Sequence, residues 1–147
     1  MLQKTYVPQG QPTPPSQIGA TLEALAGTIK ARRGAGEESY TSFLLGTDTR
    51  YLLEKVSEEA GEVVEAAQKA ARENDEALMW GAQAGEGGET DHLRYEVADL
   101  LYHLLVVLER FDIPLDELAA ELNMRMLDGE RPQGGIRLFE EYIKRGK

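Results

Sequence analysis

The sequence predicts an all-α protein, a four-helix-type bundle. Three observations carry this. Aromatic residues are only 7% of the 147, while Leu, Ala, Val and Glu dominate, a balance that favours helix over sheet. Apolar residues recur at three- and four-residue spacing along the main stretches between the loops. No segment reads as a convincing strand.

The elements follow in order. Residues 1–17 hold four prolines and no periodicity, so a disordered or loosely packed tail is expected there. The helical domain is expected over 18–128. Thr21 can cap a first helix whose stripe is Leu22, Leu25, Ala26 and Ile29. Arg32, Arg33 and Gly34 end it, with basic residues where the helix dipole favours them. A short segment from Ser42 to Leu45 follows and is closed by Gly46. Asp48 or Thr49 can cap the second main helix, expected to run to about Asn74 and to bury Leu52, Val56, Ala60, Val63 and Ala67. The Gly-rich stretch 81–90 must be a loop. Thr90 or Asp91 starts a third helix to about Arg110, apolar on nearly every side and so expected to be central and most buried. Asp112 and Pro114 signal a fourth helix through Leu115, Leu118, Leu122 and Met126. Residues 129–147 form a C-terminal tail, with a short helix expected over Ile136–Lys144.

Bulk properties exclude several functions. A formal net charge of −10 argues against a nucleic-acid backbone or an anionic membrane as partner. The absence of cysteine excludes disulfides, zinc–thiolate sites and thiol catalysis. The longest apolar run, Val97 to Leu108, is interrupted by Asp99 and His103 and is too short for a bilayer. The first residues lack the apolar segment of a signal peptide, so a cytoplasmic setting is expected.

Two acidic patches stand out inside otherwise buried-helix sequence. Glu58, Glu59 and Glu62 lie in LEKVSEEAGEVVEAA, and Glu96 and Asp99 in YEVADLLYHLL. At about 100° per residue, Glu62 projects between Glu58 and Glu59, and Glu96 and Asp99 share a face about 60° wide. If the two helices pack antiparallel, the patches meet. Both are mid-helix, where backbone amides are already bonded and cannot neutralise carboxylates. Asp99, flanked by Val97, Ala98, Leu100 and Leu101, would cost several kcal/mol if buried without a partner. Cations must compensate, and an all-oxygen donor set points to a hard ion such as Mg²⁺, hence to phosphate chemistry. The expected ligands are Glu59, Glu62, Glu96 and Asp99. Glu54, Glu65 and Glu73 read as an ordinary solvated face, while Glu58 can sit at the rim. Lys55 can pair with Glu59 or reach a substrate phosphate. His103, one turn after Asp99, reads first as a hydrogen-bonded core residue, with orienting Asp99 or touching substrate as alternatives. Ser39, Tyr40 and Thr41 alone fit a plain helix-capping turn.

The runs KVSEEAGEVVEAA (55–67) and EVADLLYHLLVVL (96–108) resemble the phosphoribosyl-ATP pyrophosphohydrolases of histidine biosynthesis, within the all-α, MazG-like nucleoside triphosphate pyrophosphohydrolases. The wider group shares E-x-x-E … E-x-x-D, matched by Glu59, Glu62, Glu96 and Asp99. The narrower family adds a Ser-Tyr-Thr turn, matched at 39–41, a lysine before the double glutamate, matched by Lys55, and an acidic-Leu-Leu-Tyr-His run, matched at 99–103. The Leu-x-x-L…ARR segment (22–33) is similar too, and the likeness spans roughly residues 20 to 127. Ser57 departs from the family's usual glycine, and the Gly-rich connector is longer than the usual one. The family is often fused to a zinc-dependent phosphoribosyl-AMP cyclohydrolase that uses cysteine; none is expected in this chain.

The resemblance implies Mg²⁺-dependent hydrolysis of phosphoribosyl-ATP to phosphoribosyl-AMP and pyrophosphate. It implies Glu58 or Glu59 as the group that orients or deprotonates water. Lys55 and one or more of Arg32, Arg33, Arg72 and Arg94 would clamp phosphates, and Ser39, Tyr40, Thr41 and His103 would line the substrate site. A house-cleaning pyrophosphohydrolase for another nucleoside triphosphate would use the same metal site. A non-catalytic helical module that binds Mg²⁺ or a basic partner is the rival from a different class. The spare apolar face of the central helix predicts a homodimer or higher homo-oligomer, with the site near or across the interface.

Overall fold

The computed structural model describes residues 10–34, 39–81, 88–144 and 146. Among these the chain is all helical: α1 (Gln17–Ala31), α2 (Tyr40–Gly46), α3 (Thr49–Met79), α4 (Gly88–Arg110), α5 (Leu115–Asn123) and a 3₁₀ turn, Glu140–Tyr142. Residues 1–9 of the expected tail, and 82–87 of the expected Gly-rich loop, lie outside the described residues.

Ser16, in extended backbone, caps α1 by accepting from Gly19 N at 3.1 Å. The cap is thus five residues earlier than Thr21. Two prolines precede Ser16, and a residue before proline avoids helical backbone, so the first position free to cap comes directly after them. Gly34 leaves the helix end with φ +70°. Ser39 caps α2, its Oγ accepting from Ser42 N at 3.3 Å. Arg110, reaching over from the end of α4, closes the other end of α2. Its guanidinium donates to Leu44 O at 3.3 Å, Leu45 O at 3.0 Å and Thr49 Oγ1 at 3.1 Å.

Asp48 caps α3, accepting from Arg50 N at 2.7 Å. The helix runs past Asn74 to Met79 and packs along α4, its principal partner. Its buried residues are Leu52, Glu59, Ala66 and Ala70. Val56, Ala60, Val63 and Ala67 are only half-buried. The seam is therefore turned by about 50° from the stripe expected from the strongest apolar residues. Small alanines at 66 and 70 allow close approach to α4, and this rotation carries Glu59 into the seam.

α4 contacts α1, α2 and α3 and is central, as expected. It is not buried all round. Val97, Leu101 and Leu104 remain 38–40% exposed, because no helix among the described residues covers that side. α4 begins at Gly88, ahead of Thr90, and Glu73 Oε2 accepts from Glu89 N at 3.1 Å. Glu73 is thus a cap for α4, not part of a plain solvated face. α5 starts at Leu115, after Pro114, and stops at Asn123, short of Met126. Arg131 ends it by donating to Asn123 O at 2.6 Å and Met126 O at 2.7 Å. Asn123 Nδ2 donates to Ile136 O at 2.8 Å and ties the tail down. The short helix expected over Ile136–Lys144 shrinks to the 3₁₀ turn.

Ile29, Leu44, Leu45, Leu52, Leu105 and Val106 form the core, with Leu22, Leu25, Tyr102 and Leu115 packed on it. This core pins the start of α3 against the second half of α4. Two turns along α3 from Leu52, about 10 Å, the same seam holds Glu59.

Candidate metal centre between α3 and α4

Antiparallel packing brings the two acidic motifs together. Glu59, Glu62, Glu96 and Asp99 each present an oxygen, and these atoms all lie within 4.8 Å of one another. Glu59 is 5% exposed and Glu96 8%. Oε2 of each is buried and has no hydrogen-bond partner. Buried polar atoms are nearly always partnered, so orphaned oxygens on two members of a four-acid group need an explanation. Burial first, then hydrogen bonds to Asp99 and Glu62 and the repulsion of their charges, pushes the Glu59 carboxyl up to about 7. Lys55 is the neighbouring cation, its Nζ 3.2 Å from Glu58 Oε2 and 3.8 Å from Glu59 Oε1. The bond to Glu58 raises the Lys55 pKa and keeps it charged. One ammonium shared with Glu58 cannot offset four carboxylates. All-oxygen donors at this spacing fit a hard divalent cation.

A second group, Glu59, Asp99 and His103, also has ligand atoms within 4.8 Å. His103 is already engaged, however. It is 2% exposed, and its Nδ1 lies 2.9 Å from the Asp99 carbonyl oxygen. A carbonyl only accepts, so Nδ1 donates, and in the neutral ring Nε2 accepts from the Tyr40 hydroxyl at 3.1 Å. Burial raises the Tyr40 pKa, which keeps the phenol protonated as that donor. Tyr40 stacks on Tyr102 with centroids 6.5 Å apart, and Thr41 bonds the Tyr102 hydroxyl. The Ser-Tyr-Thr turn is thus bolted onto α4 one turn from Asp99.

The remaining expected residues are distributed unevenly. Arg32 donates to Ser39 Oγ at 3.4 Å, at the start of α2. Arg33 pairs with Glu109 at 2.8 Å and Asp112 at 3.2 Å. Glu109 is ten residues beyond Asp99, about 15 Å along α4, so Arg33 is not brought to the cluster. Glu58 lies outside the four-acid group, exposed and held by Lys55. Arg94 pairs with Asp91 at 2.8 Å. Sequence reasoning passed over His92, whose Nε2 lies 3.0 Å from Glu96 Oε1. The available signal was its position one turn before Glu96.

Comparison with known proteins gives a consistent result. The family described as phosphoribosyl-ATP pyrophosphohydrolase matches residues 22–126. The phosphoribosyl-ATP pyrophosphatase of Geobacter metallireducens is 38% identical over 105 residues, covering 71% of this chain and 80% of the relative. That of Trichlorobacter lovleyi is 41% identical over 105 residues, covering 71% and 81%. The histidine biosynthesis bifunctional protein HisIE of Halalkalibacterium halodurans is 39% identical over 108 residues, covering 74% of this chain but 42% of the relative. No solved structure matches.

Proposed function

The chain belongs to the phosphoribosyl-ATP pyrophosphohydrolase family, and from that membership we propose that it hydrolyses phosphoribosyl-ATP to phosphoribosyl-AMP and pyrophosphate with Mg²⁺. This is the second step of histidine biosynthesis. The observation that carries the metal is the four-carboxylate cluster itself, two of whose members, Glu59 and Glu96, each keep a buried oxygen, Oε2, without a hydrogen-bond partner.

Glu59, Glu62, Glu96 and Asp99 would hold the ion. Bound Mg²⁺ supplies positive charge against the phosphoanhydride and the departing pyrophosphate. The rest is work for the chain's own residues. Glu58, outside the four ligand carboxylates, or Glu59 would orient the attacking water and take its proton. The water oxygen bonds to phosphorus, the α–β bridge breaks, and the electron pair leaves with pyrophosphate. Lys55, steered by Glu58, provides a positive charge beside the cluster for a substrate phosphate. Arg32 and Ser39 offer polar groups at the start of α2, and Tyr40, Thr41 and His103 shape the adjoining wall. Arg33 serves substrate only if it leaves Glu109.

We assign the working form as a homodimer or higher homo-oligomer, because Val97, Leu101 and Leu104 line one side of α4 uncovered. No helix among the described residues is long and apolar enough to cross a membrane. The setting we assign is the cytoplasm, with a small nucleotide as the substrate and neither nucleic acid nor membrane as a partner.

The test is pyrophosphate release from phosphoribosyl-ATP and from the common nucleoside triphosphates, with and without Mg²⁺. Phosphoribosyl-ATP should be strongly preferred. Glu62→Gln and Asp99→Asn should each lose about 100-fold or more in kcat/KM while far-UV circular dichroism stays unchanged. Preference for a free nucleoside triphosphate would move the chain to the house-cleaning role. Absence of any release would leave a non-catalytic metal-binding module.

A further inference from the structure

The two oxygens of Glu96 have different surroundings. Oε1 lies 3.0 Å from His92 Nε2, one turn earlier on α4, whereas Oε2 is buried and unpartnered. With the carboxylate ionised, its oxygens only accept, and His92 Nε2 is then the donor. That bond fixes one oxygen of a carboxylate that is grouped with those of Glu59, Glu62 and Asp99.

Helical pairs at this spacing are usually surface decoration. The carboxylates of Arg50–Glu54 and Lys69–Glu65 fit that description, with side chains 64% and 67% exposed. The Glu96 side chain is 10% exposed, so His92 reaches down from the rim to a buried acid. A glutamate free to rotate pays conformational entropy each time it must present an oxygen to an ion. A donor that holds it in place removes part of that cost. Partners of this kind behind metal-binding side chains commonly tune affinity.

We propose that His92 is a positioning residue that holds the Glu96 carboxylate in place within the four-acid group, and so strengthens divalent-cation binding by the four carboxylates. This rests on the metal-site reading given above. His92 acts through Glu96 and is not one of the four grouped ligand side chains.

The test is titration of the full chain with Mn²⁺ alone, followed by calorimetry, at one pH and without substrate. His92→Ala should bind Mn²⁺ about tenfold more weakly than the original protein. His92→Gln, whose side-chain amide can still donate to Glu96, should recover most of the loss. Circular dichroism confirms folding, which is secure because the His92 side chain is 47% exposed. Unchanged or tighter binding by His92→Ala overturns the proposal, as does failure of His92→Gln to recover what His92→Ala loses. If the original protein fails to bind Mn²⁺ at all, the metal-site reading itself falls, and this inference with it.

Discussion

Glu59 on α3 and Asp99 on α4 place carboxylate oxygens within 4.8 Å of each other, in a seam where Glu59 is almost fully buried. Burial, together with hydrogen bonding to Asp99 and Glu62, makes ionisation of Glu59 unfavourable and lifts its pKa from 4.5 to about 7. The same arrangement that suits a divalent cation is therefore a source of instability when the protein is held in chelator.

The sign of the pH dependence follows. Between 4.5 and about 7 the folded protein keeps a proton on Glu59 that the unfolded chain has released. Stability is therefore highest below that window and falls as pH rises through it, by on the order of 3 kcal/mol. Glu59→Gln is neutral at every pH and escapes the loss. In chelator, the variant should match the original protein near about pH 5 and melt several degrees higher near about pH 8. Adding Mg²⁺ should raise the Tm of the original protein more than that of the variant. Thermal melts at the two pH values check this, and a Tm gap that does not change with pH would reject crowding as the origin.

The four central acids were legible because their cost was legible. E-x-x-E and E-x-x-D inside apolar helical sequence have no cheap structural use, so Glu59, Glu62, Glu96 and Asp99 stood out before any fold was known. Helix identity was readable for the same reason that helix faces were not. Period defines an amphipathic helix, but the exact rotation of α3 depends on how closely Ala66 and Ala70 let α4 approach. Glu73 and His92 were hidden by ordinariness. An acid in an acid-rich run and a histidine one turn before a glutamate are both commonplace; the return of α4 along α3 gives Glu73 its partner, and burial of Glu96 sets the His92 contact apart from a surface pair. Ser39 was foreseeable as a cap, whereas the Tyr40–His103 bond joins residues 63 positions apart and leaves no local trace.

That bond makes a second prediction. Tyr40→Phe keeps the ring that stacks on Tyr102 but removes the only donor seen for His103 Nε2 among the described residues. A buried acceptor without its partner costs roughly 1–3 kcal/mol. The variant should melt roughly 3–8 °C lower. Its Mn²⁺ affinity should fall by less than that of Asp99→Asn, because the phenol braces the α4 backbone and is not a ligand. Calorimetric melts and Mn²⁺ titration measure both. An unchanged Tm would show that water replaces the hydroxyl.

Arg110 supports the other end of α2. Its three hydrogen bonds, to Leu44 O, Leu45 O and Thr49 Oγ1, satisfy carbonyls that the helix end leaves open and join α2 to the start of α3. Arg110→Met keeps most of the stem and removes every donor. Urea unfolding should show a loss of about 2 kcal/mol, with no change in m-value. Hydrogen exchange should quicken in residues 40–46 before it does in α3. Uniform acceleration across all helices would mean that α2 does not open separately.

The uncovered side of α4 gives the last prediction. Val97, Leu101 and Leu104 repeat at four- and three-residue spacing, so they form one continuous apolar strip 38–40% exposed. A strip of this kind in water favours association, and in a protein of formal charge −10 the association must overcome repulsion between copies. Hydrophobic contact in the centre of the strip is what can do so. Leu101→Glu puts a charge in that centre, where pairing of two copies would bury it unpartnered at a cost of several kcal/mol. The original protein should sediment as a dimer or larger species at micromolar concentration, and Leu101→Glu as a monomer with unchanged helicity. Because no core residue is altered, the monomer should remain folded and should still bind Mn²⁺ through Glu59, Glu62, Glu96 and Asp99. Sedimentation of the original protein as a monomer would show instead that the strip is tolerated in water.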